Sequence, residues 1–190
     1  MAKPNTTETP ASNPPNVTGP KWAHWLVVVG IFAIALATIF VYWPCRHGDF
    51  LWDGALLITN NPLVKAPDGL IRIWFSREPV DYWPVTNSMF WLQWHLFGNN
   101  PTGYHDTNMV LQIASALLVW TILRRLSVPG AFLAALLFAI HPVNVESVAW
   151  IAQLKNTLSM FFFLLSVLWY LNAEPDLVAG FHSAPPSRSE

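Results

Sequence analysis

Charge is the scarcest property of this chain: 11% of its 190 residues are Asp, Glu, Lys or Arg, against a hydrophobic share of 53%. Soluble domains carry about 25% charged residues, so the shortage argues against an ordinary water-soluble domain and for a lipid environment. The formal net charge of −1 supplies no electrostatic footprint for nucleic acid, and no nucleic-acid partner is expected. A single cysteine, Cys45, excludes an internal disulfide and a clustered-thiolate zinc site. It follows the first apolar run and reads as a small packing residue. No repeat of the 34-residue type is visible. What is abundant is tryptophan, eleven residues in all, which suits the headgroup layer of a bilayer.

Taken in order, Met1 to Pro20 is rich in Pro, Asn, Thr and Ser and lacks the apolar residues that would offset ordering entropy. It reads as a disordered tail, with N-glycosylation patterns at Asn5 and Asn16. Residues 22–43 form the first apolar span. The run continues through Val41, past the cleavage-like Ala35-Leu36-Ala37, which favours an uncleaved anchor over a signal peptide. Residues 45–107 are a long polar and aromatic connection, too long for a structureless loop. Within it Leu70 to Phe75 reads as a short amphipathic turn of helix. Asn87 to Phe97 puts Phe90, Trp94 and Phe97 on one helical face. That face fits either a helix lying on the membrane surface or one packed against a core. Asn100 as cap and Pro101 at the first helical position start the next helix.

The remaining spans are expected near 108–126, 130–151 and 156–171. The last, at about 16 residues, is marginal for a crossing. The third is broken: the apolar run Ala131 to Ile140 meets His141, Pro142, Asn144, Glu146 and Ser147 before it resumes. Either the span ends early in a solvated turn, or polar groups sit near membrane depth, where they face a cavity and mark function. Residues 173–190 read as a second disordered tail. The expected fold class is an all-α polytopic membrane protein with about four transmembrane helices and a large external loop carrying juxtamembrane helices. Arg124 and Arg125, with no acidic neighbour in the short connection that follows them, place that connection in the cytoplasm by the positive-inside rule. Both termini are then cytoplasmic, and the 45–107 loop and the 141–155 region share the opposite side. The expected location is a cell membrane, a bacterial inner membrane or its equivalent.

His141-Pro-Val-Asn-Val-Glu-Ser-Val-Ala-Trp-Ile151 resembles the signature of polytopic GT-C-type glycosyltransferases that end in tetratricopeptide repeats. These are relatives of the O-mannosyltransferases that use a polyprenyl-phosphate sugar. Phe50-Leu-Trp-Asp-Gly54, Asn60-Asn-Pro-Leu63, Tyr82-Trp-Pro-Val85, Phe97 to His105, Val128-Pro-Gly130 and Lys155-Asn156 read the same way, so the resemblance covers about residues 45–171. It departs at Gly54, where the family has a second acid, and at Asn144, Leu154 and Gln112, where His, a basic residue and His are usual.

The resemblance implies transfer of a sugar, mannose by the family's example, from a polyprenyl-phosphate donor to a protein hydroxyl. The expected partners are membrane lipid, the lipid-linked sugar and a protein acceptor. No cofactor is assigned beyond that donor; no metal site is assigned, and the missing second carboxylate argues against a divalent ion. Such chemistry needs a carboxylate to take the hydroxyl proton and cations where charge develops on the phosphate. Asp53 and Glu146 are the candidate catalytic residues. His141, Lys155, Arg46 and His105 are the candidates for donor-phosphate or substrate binding. The family continues with more spans and repeats, so the chain corresponds to its N-terminal part. An inactive fragment, or a non-enzymatic membrane protein for assembly or partner binding, is the alternative reading.

Overall fold

A computed structural model describes residues 22–79 and 81–174, and these fold into helices and turns with no strand among them. The expected tails (1–20 and, from Pro175 onward, the second), together with both glycosylation patterns, lie outside the described residues. The fold is an all-α polytopic membrane protein. Three helical segments are long and apolar enough to cross a bilayer: His24–His47, Pro101–Arg125 and Ile151–Ala173. A fourth crossing is available from the bent pair Ala131–Ile140 and Pro142–Ala149, whose axes diverge by 43°.

Helix α1 (Trp22–Tyr42) runs into a 3₁₀ turn, Trp43–His47. The loop that follows carries α2 (Pro62–Lys65), α3 (Gly69–Phe75) and α4 (Pro84–Phe97). Helix α5 (Pro101–Arg125) is central and packs against α1, α6 (Ala131–Ile140) and α8 (Leu154–Ala173). Its start follows the expected chemistry: the Asn100 side chain accepts from the Thr102 N–H at 3.1 Å and Pro101 occupies the first helical position. It begins seven residues before the apolar run, because Tyr104, His105 and Asn108 are buried by protein rather than by lipid. Helix α8 is likewise longer than its apolar run. At 20 residues it is no longer marginal, since Leu154, Thr157 and Leu158 pack under the loop.

Two of the packed regions lie toward opposite ends of the bundle. Toward the Arg124 end, Ala131, Ala135 and Ala139 form a small-residue stripe against Ile34, Ala116 and Trp120, the close approach that apolar helices need in lipid. Gly30 on α1 faces the same tryptophan so tightly that an added Cβ would lie 2.3 Å from its ring. At the opposite end Ile58, Val64, Phe90, Tyr104, Ile151, Leu154 and Leu158 bury the loop onto α5 and α8. Phe90 is fully buried there and Trp94 packs beside it. The Phe90 face of α4 is therefore packed against the core, while Leu92 and Leu96 stay exposed. The reason is the neighbouring loop, which offers Ile58 and Val64 as apolar partners.

Candidate functional site

Pro142 makes the break in the third span. Its ring removes a backbone donor and pushes the residue before it out of helical geometry, and His141 sits at φ −63°, ψ 132°. The ending α6 leaves carbonyls exposed to an apolar surrounding, which must be satisfied. Gln112 on α5 donates from Nε2 to the Phe138 and Ala139 carbonyls, at 3.2 Å each. Asn144 Nδ2 adds a second donor to Phe138 O at 2.7 Å. One turn along α5, Asn108 donates to the Trp150 carbonyl at 3.2 Å and accepts from the Thr157 hydroxyl at 3.2 Å. Two buried amides, four residues apart, thus clamp both ends of the segment carrying α7 (Val145–Ala149).

That segment forms one wall of a cavity of about 400 Å³. The other wall is the chain just after α1, including Gly48, Asp49, Leu51 and Trp52, and His105 of α5 completes it. Glu146 and Asp49 contribute carboxylates, while Trp52 and Trp150 meet edge to face at 6.2 Å between centroids. Trp52 is 84% exposed and holds φ 43°, the left-handed region that a bulky residue rarely adopts. The turn is anchored by Phe50, whose ring packs on Tyr104 at 5.1 Å, and the Phe50 N–H bonds to Asp49 Oδ1 at 2.7 Å. Glu146 accepts from Gln153 Nε2 at 3.1 Å.

The expected site residues distribute as follows. Glu146 and His105 line the cavity. Asp53 is exposed on the rim turn directly after Trp52, outside the lining. His105 is 4% exposed; Nε2 faces the Gly48 carbonyl at 3.3 Å and the ring lies near that of Ala149, while Nδ1 has no well-formed bond. It ties both walls to α5. His141 is exposed, with Nδ1 accepting from the Val143 N–H at 3.2 Å, so its ring caps the turn after α6. Lys155 lies with Nζ 4.4 Å from the Trp83 ring. Arg46 is held by Asp106 in a two-pronged pair of 2.5 and 2.8 Å. Neither His141, Lys155 nor Arg46 lines the cavity. Among the described residues no group of three His, Cys, Asp or Glu side chains is placed to hold a metal ion.

Sequence reading passed over Asn108 as a clamp and did not count Asp49 among the candidate site residues. The signal was present: an amide four residues before Gln112 on an apolar helix must find a partner.

Apolar helices that hold a mostly apolar, tryptophan-edged cavity with two carboxylates at one end define a multi-pass α-helical membrane protein with a candidate site at one end of the bundle. Its relatives narrow the class. Over 150 residues the chain is 33% identical to Protein O-mannosyl-transferase F38B6.6 of Caenorhabditis elegans, covering 70% of this chain and 22% of that protein. It is 31% identical over 186 residues to Protein O-mannosyl-transferase TMTC4 of Homo sapiens, covering 84% and 24%. With Protein O-mannosyl-transferase TMTC2 of Mus musculus it shares 36% over 143 residues, covering 69% and 17%. No family model and no solved structure matches the chain. Over 143 to 186 residues the chain is thus similar to proteins named protein O-mannosyl-transferase, and it spans less than a quarter of the length of these relatives.

Proposed function

We propose that this chain forms the reaction-face part of a membrane glycosyltransferase that passes a sugar, mannose by its relatives' names, from a polyprenyl-phosphate carrier to a protein hydroxyl. The observation that carries the reading is the cavity itself. Asp49 and Glu146 offer carboxylates to sugar hydroxyls, and Trp52 and Trp150 offer flat apolar faces to the ring's C–H groups. A mostly apolar pocket with a few convergent polar groups is the usual form of a small-ligand site.

In this scheme Asp53 takes the proton from the acceptor hydroxyl, because its carboxylate stands at the rim with no hydrogen bond to another described side chain. The hydroxyl oxygen bonds to the anomeric carbon as the bond from that carbon to the phosphate oxygen breaks. The electron pair leaves on the polyprenyl phosphate, to which Lys155 offers charge and the His141 ring a hydrogen bond from its other nitrogen. Arg46 takes no part in that role, since Asp106 already neutralises it. Glu146, steadied by Gln153, orients the sugar. The loop and the cavity stand on the side of the membrane opposite Arg124 and Arg125, with both termini cytoplasmic.

The test uses the human relative with its matching segment replaced by this chain, supplied with radiolabelled polyprenyl-phosphate mannose. Asp53→Asn keeps size and hydrogen bonding but removes basicity, so transfer falls about 100- to 10,000-fold while donor binding stays close to normal. Transfer at the original rate in Asp53→Asn, with loss in Glu146→Gln, moves the base to Glu146. Full transfer in both variants refutes the assignment.

A further inference from the structure

A second concave site lies outside the sugar cavity, on the flank where α1 and α5 face lipid. It is a groove of about 320 Å³ between the two helices. Along α1 and its 3₁₀ extension, Ile39, Trp43 and Arg46 line it at steps of four and three residues. Along α5, running the other way, Ile113, Val110 and Asp106 do the same. Both series thus grade from aliphatic at depth to charged at the mouth. The gradient lies along the helix axes, which is the direction in which a bilayer changes from hydrocarbon to headgroup. Val110 is 62% exposed, so the groove opens sideways rather than into the bundle.

The mouth is built as a dipole. Arg46 Nε and Nη2 bind the two Asp106 oxygens at 2.5 and 2.8 Å, and the guanidinium carbon sits 4.5 Å from the Trp43 ring centroid. The pair cancels in net charge but presents a cation and an anion side by side, with Trp43 against the cation. Arg46 Nη1 keeps its donors.

We propose that this groove binds one zwitterionic glycerophospholipid of the surrounding bilayer, with an acyl chain along Ile39, Val110 and Ile113, the phosphate at Arg46 and the ammonium at Asp106. A zwitterionic headgroup matches both charges of the pair, whereas an anionic headgroup or a polyprenyl phosphate meets the Asp106 carboxylate without compensation. The site is separate from the sugar cavity, and its occupant is a structural lipid rather than a substrate.

Native mass spectrometry of the chain, released from micelles containing equal amounts of phosphatidylethanolamine and phosphatidylglycerol, tests the proposal. One phosphatidylethanolamine is expected to stay bound in about tenfold preference, the worth of one hydrogen bond to a charged group. Asp106→Asn keeps a hydrogen-bond acceptor for Arg46 but removes the negative charge, so the preference reverses toward phosphatidylglycerol. Val110→Trp fills the groove without touching the pair and is expected to displace the lipid from a folded chain. Equal retention of both lipids by the unaltered chain overturns the proposal, as does an ethanolamine preference that survives either Asp106→Asn or Val110→Trp.

Discussion

The Phe138 carbonyl offers a direct test of how the broken span is held. It accepts from both Gln112 Nε2 and Asn144 Nδ2, at 3.2 and 2.7 Å. Gln112 also serves the Ala139 carbonyl, and the next donor along the chain, the Val143 N–H, is committed to His141. Gln112→Leu therefore removes two bonds and leaves Ala139 O bare. Hydrogen bonds in membrane helices average about 0.6 kcal/mol each, and a bare buried acceptor costs about 1–3 kcal/mol. A loss of about 1.6–3.6 kcal/mol follows, one bond at Phe138 O and a bare acceptor at Ala139 O. Asn144→Ala removes one bond from a carbonyl that Gln112 still serves, and costs about 0.6 kcal/mol. Only the double variant orphans Phe138 O, so it is expected to lose about 0.5–1.5 kcal/mol more than the sum of the singles. Equilibrium unfolding in mixed micelles, followed by helical circular dichroism, measures all four corners of the cycle. Additivity within about 0.3 kcal/mol would show that the two amides do not share a carbonyl, and the account of the break would fail.

Two further outcomes follow from charge. Glu78 is held below the usual carboxylate value, first by its hydrogen bond from Arg72; a second bond from Arg72 Nε spans 3.1 Å. A depressed folded pKa means that the pair supports α3 above the ordinary glutamate value and loses that support as the pH falls through the lower folded value. Hydrogen exchange of residues 69–79 should accordingly rise only below about pH 4, and Glu78→Gln should raise it at neutral pH and remove the acid step; an acid step that persists in Glu78→Gln contradicts this. For topology, a reporter fused after Leu126 should read cytoplasmic and one inserted at Asp68 external. The reverse pattern would separate the cavity from its proposed compartment.

Much of the helical layout was legible because it rests on local signals. Asn100-Pro101 starts α5 as capping chemistry requires, Leu70 to Phe75 falls within α3, and Pro142 breaks the third span at the residue before it. The core face of α4 was not decided, because helical spacing states which residues share a face and not what covers it. Phe90 found Ile58 and Val64, about 30 residues away in the chain. Glu146 could be singled out from its place in an interrupted apolar run, and it lines the cavity. Arg46 could be recognised as a cation but not as a neutralised one, since Asp106 is 60 residues distant. The clamp by Asn108 and Gln112 needed the knowledge that α5 crosses both ends of one short segment. That is a fact of packing.

The central claim is that the cavity between Trp52 and Trp150 receives the sugar. A polyprenyl-phosphate mannose carrying a photoreactive group on the mannose, irradiated with the membrane-embedded chain and mapped by peptide mass spectrometry, tests it most directly. The account predicts label concentrated in residues 49–53 and 145–151, suppressed by excess unlabelled donor and lost when Trp52 and Trp150 are both changed to Ala. Label spread along the lipid-facing sides of α1 and α8, or label in the cavity that excess donor does not displace, would contradict it.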